Sequence, residues 1–520
     1  MNLTRLTSHL MDKFALSLPL LTPFVAAIIN IFLWKKLRGQ WIVYATASLL
    51  MLACSAWLLY MVAREEVIIM RVGGLEAPFA ITLVCDMFSA LMLCATALMA
   101  LLLSFYVNND VSLSREEMRY GFFIFVLFMF FGINGCLLTG DIFNLYVWFE
   151  VILLSSFALL TLGGRREQLE GAIKYVTINF VASALLLAGI GVVYGYVGST
   201  NMAQLSLLMR EKGQTPLVMI SGMFFLVSLG IKSAVFPLFF WLPASYHTPS
   251  ISVTALIGGL ITKVGMYTLI RIFTTIIPFE GSFIQYLLLV LSALTMLTGV
   301  LGAVAQYEMR KLLSFHIISQ IGYMVMGLAI NTPLALGGAI FFILHNIIVK
   351  SNLFFISGLI FRQEGTNQLK QLGGYYHNYS LLSFIFFFTA FSLAGVPPLS
   401  GFWGKYYLVL AGLNASFYIV VGISLFTGLL TLFSMAKIWR YAFLRKQPEQ
   451  RTEREHSLSA QKRPAYGMYV SMIALGIVIL CMSFYPEPLV RLSKIAGQQL
   501  YDRKVYVEKV LNQQAYDKMD

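Results

Sequence analysis

A chain of 520 residues that is 58% hydrophobic and only 12% charged is not a soluble globular protein, in which about a quarter of the residues would carry charge. Apolar runs of roughly 20 residues recur along it, each able to cross a hydrocarbon core of about 30 Å, so the fold class is all-α, polytopic and membrane-embedded. The net charge of +13 does not point to nucleic acid, because the basic residues fall in the loops between apolar runs, where membrane topology accounts for them.

In chain order the runs predict fourteen spans, over residues 14–34, 41–62, 80–107, 120–138, 141–163, 172–196, 216–240, 250–277, 283–305, 309–330, 334–361, 379–412, 414–440 and 466–486. The first run is too long for the apolar part of a cleavable signal, and no small-residue cleavage site follows it, so it is expected to remain as a span. Cys54, Cys85, Cys94, Cys136 and Cys481 lie singly in apolar runs, with no partner at metal or redox spacing, and read as packing residues. Basic residues set the orientation. With the N-terminus outside, the cytoplasmic loops hold Lys35, Lys36, Arg38, Arg115, Arg119, Arg165, Arg166, Arg310, Lys311, Arg362, Lys370 and a basic 440–463 loop. The opposite loops hold only Arg64, Arg71, Arg210 and Lys212. An even number of spans then places the C-terminus outside as well, where the tail 487–520 reads as an amphipathic helix or as a flexible segment.

An ionisable group in the middle of a span is costly and faces a cavity or a partner. Glu150 lies about 13 Å into its span at about 1.5 Å per residue. Lys232 is near the middle of span seven, Lys263 near the middle of span eight, and His345 central in span eleven, with Lys350 about one turn further on. His316 sits two turns into span ten, and Lys405 follows the proline pair of span twelve. Each has a plainer reading. A lysine near a helix end reaches out to the interface, which fits Lys350 best. A single buried histidine is often only a hydrogen-bonding group, which fits His316, and Glu150 could be a structural ion-pair partner. Asp86 and Asp141, at span starts, need be no more than helix caps.

Six mid-depth groups in one chain resist that treatment, and together they predict a proton or ion route. A buried lysine loses proton affinity by desolvation and regains it beside a carboxylate, so a carboxylate moving toward or away from Lys232 would switch it. Histidine titrates near neutral pH. Arginine stays protonated, and the one arginine well inside a span, Arg271, lies toward the outer end of span eight.

Prolines mark two of these places. Pro237 and Pro243 interrupt span seven after Lys232, and Pro397 and Pro398 interrupt span twelve before Lys405. A broken helix frees carbonyls at membrane depth, tolerated only where they line a cavity or are buried in protein. Two breaks five spans apart, each beside a lysine, predict two inverted five-helix repeats; ordinary proline kinks are the alternative. The expected organisation is a three-helix segment (1–119), a first repeat of helices four to eight (120–277) and a second of helices nine to thirteen (283–440). Residues 441–520 then hold the basic loop, helix fourteen and the tail. GIGVVYG (189–195) has the wrong glycine spacing for a dinucleotide site and lies inside a span, where small residues let helices approach. No Walker sequence, CxxC pair or HExxH occurs, so neither ATP hydrolysis nor a cofactor or metal is expected of this chain.

The blocks WFEVILLSS, AIKYV, GIKSAVFPLFFWLPASYHTPS, AQYEMRKLLSFHIISQIGYM and AGVPPLSGFWGK follow one another across spans four to thirteen. In this order they resemble the antiporter-like subunits shared by respiratory complex I and multisubunit cation/proton antiporters. The resemblance implies fourteen helices, two inverted five-helix repeats, broken helices seven and twelve, and a hydrated polar axis along the membrane midplane. By motif it makes Glu150 and Lys232 the coupling ion pair, Lys263 the central lysine and Lys405 the terminal charged residue, with Lys263 and His345 as the expected relay. Lys174 in AIKYV matches another motif lysine, here nearer the cytoplasmic end.

Within the family, FNLYVWFEVILLSSFALL, LSFHIISQIGYMVMG and the length are most similar to the Mrp-type Na+/H+ antiporters. That implies exchange of cytoplasmic Na+ for external H+, driven by the proton-motive force, in the plasma membrane of a prokaryote. It also implies partner subunits of A, B, C, E, F and G type. The alternative is a proton-pumping subunit of complex I or of a membrane-bound hydrogenase, although the complex I M subunit usually ends its axis with glutamate where this chain has Lys405. A scaffold role is a third reading, and the deep charges argue against it. Several relatives have serine at the place of His316 and histidine at that of Gln320, so the link from Lys263 to span eleven is expected to run differently here. Na+ prefers hard oxygen ligands, and this axis is dominated by lysine and histidine, which points the cation to a neighbouring subunit.

Overall fold

The computed structural model describes residues 3–72, 81–446 and 465–511. Most of the basic 440–463 loop and the end of the tail lie outside these residues. Among the described residues, thirteen helices are long and apolar enough to cross a membrane, and a fourteenth crossing is split by a break. In order they are α1 (Leu3–Phe32), α2 (Leu37–Glu65), α3 (Met87–Val107), α4 (Arg115–Leu138), α5 (Ile142–Thr161), α6 (Arg166–Val197) and α7 (Pro216–Ser233, resuming at Trp241–Ser245). Then follow α8 (Ile251–Thr275), α9 (Phe283–Ala305), α10 (Met309–Ile330), α11 (Pro333–Glu364), α12 (Ser380–Ala394 and Ser400–Asn414), α13 (Tyr418–Leu444) and α14 (Tyr466–Phe484).

The first and sixth helices begin earlier than the sequence reading has them, at Leu3 and Arg166, and the third begins later, at Met87. Thr82–Cys85 (β2) pairs antiparallel with Ile68–Arg71 (β1), a short hairpin in an otherwise helical chain. The run TLVC is rich in β-formers, and Asp86 accepts a hydrogen bond from the Ser89 amide at 2.9 Å, fixing the helix start at Met87. Asp141 caps α5 in the same way through the Asn144 amide, at 2.8 Å.

Helices α8 and α11 are enclosed by protein on every side, and α10 nearly so. A helix that is apolar all round belongs in a core, and the polar residues of these three therefore face other helices instead of lipid. The outer helices, α1, α2, α6, α9 and α13 among them, present large apolar side chains outward. Beyond α14, Glu487–Tyr501 (α15) is the amphipathic helix that the tail allowed, followed by Lys504–Leu511 (α16). Helix α15 lies against α11 so closely that a Cβ on Gly497 would come within 2.5 Å of the Gly337 amide nitrogen.

Two pairs of features recur along the chain. An isolated antiparallel bridge joins Asp141 to Asn201, and another joins Glu308 to Gln368; 308 − 141 and 368 − 201 are both 167. Five crossings, α5 to α9, separate Asp141 from Glu308, which puts the two bridges at opposite membrane faces. The helix breaks also correspond. Ala234 and Gly395 end their half-helices in the left-handed region (φ 60 and 88), and Val235 and Val396 donate to Gly230 and Phe391 carbonyls at 2.8 and 3.2 Å. Here the offset is 395 − 234, or 161. The shortfall of six falls in the connection, where the helix Met202–Lys212 has two short pieces, Leu369–Gln371 and Tyr375–Asn378, as its counterpart.

Candidate functional site

Lys232 occupies the last turn of the first half of α7 and is only 4% exposed. Its ammonium donates to Ser183 Oγ on α6 at 3.1 Å and stands 4.7 Å from the centre of the Phe149 ring. The C-terminal carbonyls of the half-helix favour a cation there. The break that follows is tied down from both sides. Trp241 donates to the Ile231 carbonyl at 3.1 Å, and the Phe236 amide donates to Thr295 Oγ1 on α9 at 3.0 Å. Glu150 is close enough for its charge to act on Lys232. The two nevertheless form no ion pair: among the described residues the salt bridges are Arg165–Glu117, Lys174–Glu170 and Arg271–Asp86. Glu150 Oε1 is buried without a hydrogen-bond partner. The coupling pair expected from the sequence is thus adjacent but open.

Further cations are buried or part-buried in the helices beyond Lys232, and together with it they are referred to as the row. Lys263 on α8 is enclosed and donates to the Gly258 carbonyl of its own helix at 2.6 Å. Helices α8 and α11 approach closely here, since a Cβ on Gly259 would collide with Ser351 Oγ. Lys350 is also fully enclosed; its ammonium lies 3.5 Å from the Leu313 carbonyl on α10, so it does not reach for an interface. The charges of Lys263 and Lys405 both act on Lys350. His345 Nδ1 lies 3.0 Å from Ser400 Oγ, which lies 2.7 Å from Ser392 Oγ, so one imidazole joins the two halves of α12. Its Nε2 has no partner.

Lys405 reaches back across its break. The ammonium donates to the Leu393 and Ala394 carbonyls at 3.3 and 2.8 Å and stands 5.0 Å from the centre of the Tyr323 ring. At the offset of 161, Leu393 is the counterpart of Lys232, so each break holds one ammonium at its C-terminal carbonyls, supplied from opposite sides of the gap. Glycine suits position 395, where φ is +88° and a Cβ would lie 2.9 Å from Lys405 Cδ; its counterpart Ala234 takes a milder φ of +60°.

The remaining expected residues are placed differently. His316 on α10 is buried, with Nε2 2.5 Å from Ser434 Oγ on α13 and Nδ1 3.5 Å from Ser319 Oγ. Lys174 does not join the row. It pairs with Glu170 at 2.5 Å on a half-exposed surface, where both line a cleft of about 770 Å3 together with His247, Gln306, Glu308 and Phe315. Burial, aided by the charges of Lys311 and Arg310, pushes the His247 imidazole down to about 4, so it is neutral at physiological pH. Burial also lifts the Glu308 carboxyl above its ordinary value, although that group caps α10 through the Arg310 and Lys311 amides.

Sequence reasoning missed the hydroxyl partners, Ser183, Ser392, Ser400 and Ser434, and the buried ion pair of Arg271 with Asp86, at 2.5 and 2.8 Å. Serines are common in spans as packing residues, so nothing local distinguishes these four. Arg271 and Asp86 were both visible as charges, but 185 residues separate them.

Buried lysines and histidines with hydroxyl or carbonyl partners, unpartnered polar atoms beside them, and one nearby carboxylate make a set of groups that can each hold or release a proton. Comparison with known proteins agrees in kind. Residues 139–431 match the family described as NADH:quinone oxidoreductase/Mrp antiporter, transmembrane. The chain is 40% identical to the D-type subunit of the Na+/H+ antiporter of Alkalihalophilus pseudofirmus, over 95% of this chain and 99% of the relative. Its fold is similar to a chain in the structure of the Mrp complex from Dietzia sp., with a TM-score of 0.87, 30% identity, and coverage of 96% of this chain and 100% of that one. A chain of the archaeal membrane-bound sulfane sulfur reductase shares the fold alone, with a TM-score of 0.84 at 23% identity and coverage of 95% and 99%.

Proposed function

The chain belongs to the NADH:quinone oxidoreductase/Mrp antiporter membrane-subunit family, and on that premise we propose that it is the D-type, proton-carrying subunit of a multisubunit cation/proton antiporter. It takes up protons from outside, moves them along the buried row and thereby drives Na+ outward, as a secondary transporter and not an enzyme. The observation that carries the reading is the row itself: Lys232, Lys263, Lys350 and Lys405 stand in or beside enclosed helices, and none is held in an ion pair among the described residues. A lysine fixed to a carboxylate would be locked in its charged form, whereas one held by hydroxyls and carbonyls can exchange its proton.

Glu150 is the movable element in this reading. When its carboxylate closes on Lys232 it retains a proton there, and when it withdraws the proton passes inward. Lys263 and Lys405 are each near enough to Lys350 to oppose its charge in a low dielectric, so a proton arriving at one of them favours departure from the next. The matching bridges and breaks support division into a three-helix segment (1–119), two inverted repeats (120–277 and 283–440) and a C-terminal part (441–520). The excess of basic residues on one set of loops supports a plasma-membrane orientation with both termini outside. A-, B-, C-, E-, F- and G-type subunits complete the complex. The Na+ path lies in one of those, because nitrogen groups dominate this row.

The test is subunit omission. In everted vesicles from a host without its own Na+/H+ antiporters, the full complex is expected to collapse a respiration-generated pH gradient when Na+ is added, and the complex without this chain is not. Co-purification with redox subunits and no response to Na+ would instead support the complex I or hydrogenase reading, which shares the matched family and the fold.

A further inference from the structure

A cavity of about 740 Å3 opens where α1 ends and α2 begins, beside the end of α3 and the start of α4, and none of the lysines of the row lines it. Its rim is cationic. Lys36, Arg38 and Arg115 line it with exposed side chains, and no salt bridge among the described residues involves them. Asn108 adds an amide, and none of the described lining residues is acidic. Lys36 also stands at the N-cap of α2, which no side chain caps, so the first-turn amides and the positive end of that helix lie at the same wall. Deeper in, the lining turns apolar. Trp41 lies one turn along α2, and Met118 and Phe123 lie along α4 on either side of a kink at Gly121, where φ is +115°. The Trp41 indole is already bonded, its Nε1 donating to the Ser104 carbonyl on α3 at 2.8 Å, which leaves its ring carbons for the cavity. Past Trp41, α2 continues with Ile42, Leu49 and Leu50, all exposed.

We propose that this cavity binds the headgroup of an anionic phospholipid, with the phosphate on Lys36, Arg38 and Arg115 and the first acyl carbons on Trp41, Met118 and Phe123. A cationic rim over an apolar floor matches an amphiphile, whereas a soluble anion would use the rim alone. Basic pockets between spans at the cytoplasmic surface take such headgroups, and tryptophan is favoured at that depth. A guanidinium fork pairs with two phosphate oxygens at once, and a lysine adds a compact charge that can follow the headgroup. The exposed apolar side chains of α2 give the tails a surface to run along. Only the leaflet rests on the orientation proposed above: with both termini outside, the α1–α2 connection and Arg115 are cytoplasmic, and so is the headgroup. Bound there, the lipid ties the start of α2 to the start of α4, and so the three-helix segment to the first repeat.

The experiment is native mass spectrometry of the purified complex, delipidated in mild detergent and titrated with phosphatidylglycerol. The triple variant Lys36→Gln/Arg38→Gln/Arg115→Gln is expected to hold one phosphatidylglycerol fewer per copy of this chain at the same lipid concentration. Filling the site then takes about a hundredfold more lipid, at about fivefold per cation removed. Lys36→Arg/Arg38→Lys/Arg115→Lys keeps the charge and is expected to bind as the unaltered chain does, which separates lost charge from disturbed packing. Phosphatidylcholine with the same acyl chains is expected not to displace the bound lipid. Equal occupancy in the unaltered complex and the triple glutamine variant overturns the proposal. So does displacement by glycerol phosphate as readily as by phosphatidylglycerol, which marks a site for a soluble anion. A triple variant that loses a partner subunit but keeps all its lipid also overturns it, and marks an acidic protein segment as the occupant. Orientation is read separately, from the reaction of Lys35→Cys with an impermeant maleimide in inside-out but not right-side-out vesicles. Reaction from the outside alone overturns the leaflet and leaves the binding result standing, and neither measurement depends on Na+ exchange.

Discussion

Replacing Lys232 with alanine is expected to lower Na+-dependent proton exchange by the assembled complex roughly a hundredfold or more, the lower range for losing a positioned proton-transfer group. The size follows from the place. Lys232 is the first cation of the row, its ammonium rests on one hydroxyl and one aromatic face, and no other lysine stands at that break. Lys232→Arg is the sharper variant. It keeps the charge and most of the volume, but a guanidinium does not give up its proton, so exchange is expected to be as low as in Lys232→Ala. Glu150→Gln removes the movable charge and leaves a side chain of the same shape, and is expected to reduce exchange as well without lowering the amount of assembled complex. Normal exchange with arginine at this position would show that a fixed charge suffices and that the residue is structural.

The largest stability effect is expected far from the row. Arg271 and Asp86 form a two-toothed ion pair, joined by Tyr267 and Ser89 hydroxyls at 3.1 and 3.3 Å, and the Tyr506 ring of α16 stands 5.8 Å from the guanidinium. Removing one partner leaves the other charge buried and unpaired, which costs about 3–5 kcal/mol. Arg271→Ala is therefore expected to unfold at clearly lower temperature in detergent than the unaltered protein. The double variant Asp86→Asn/Arg271→Met recovers much of the loss, because neither group is then left charged. Asp86→Ala costs about 1 kcal/mol more than charge loss alone, since it also removes the cap of α3. Exchange per folded molecule is expected to change little in these variants. An Arg271→Ala protein of full stability but without exchange would place the pair on the route instead.

How much of this was legible in the sequence depends on distance along the chain. The stretch GIKSAVFPLFFW shows its own break, because a lysine and a proline five residues apart inside an apolar run are enough to predict one. Lys263 and His345 were visible on the same ground of depth alone. The count of crossings also held, since it needs only run length. The start of α3 did not: residues 80–86 are as apolar as a span, and the hairpin with Ile68–Arg71 took precedence. Lys350 could have reached an interface by its position, and it is the packing of helices around α11, with the Leu313 carbonyl of α10 at its ammonium, that encloses it. Lys174 in AIKYV matches a motif lysine of the family, yet its place in the early turns of α6 puts it in the cleft beside Glu170. The serines that hold Lys232, His345 and His316 come from other helices, and a serine in a span carries no mark of its partner.

If the row moves protons in exchange for a cation, it needs no electron donor. This is tested most directly with the purified complex in liposomes, an imposed Na+ gradient, no redox substrate, and a pH-sensitive dye to follow protons. Protons are expected to move against the Na+ flow in the unaltered complex and far more slowly with Glu150→Gln. Proton movement that appears only when NADH and quinone are supplied, or that persists unchanged with Glu150→Gln, would contradict this reading.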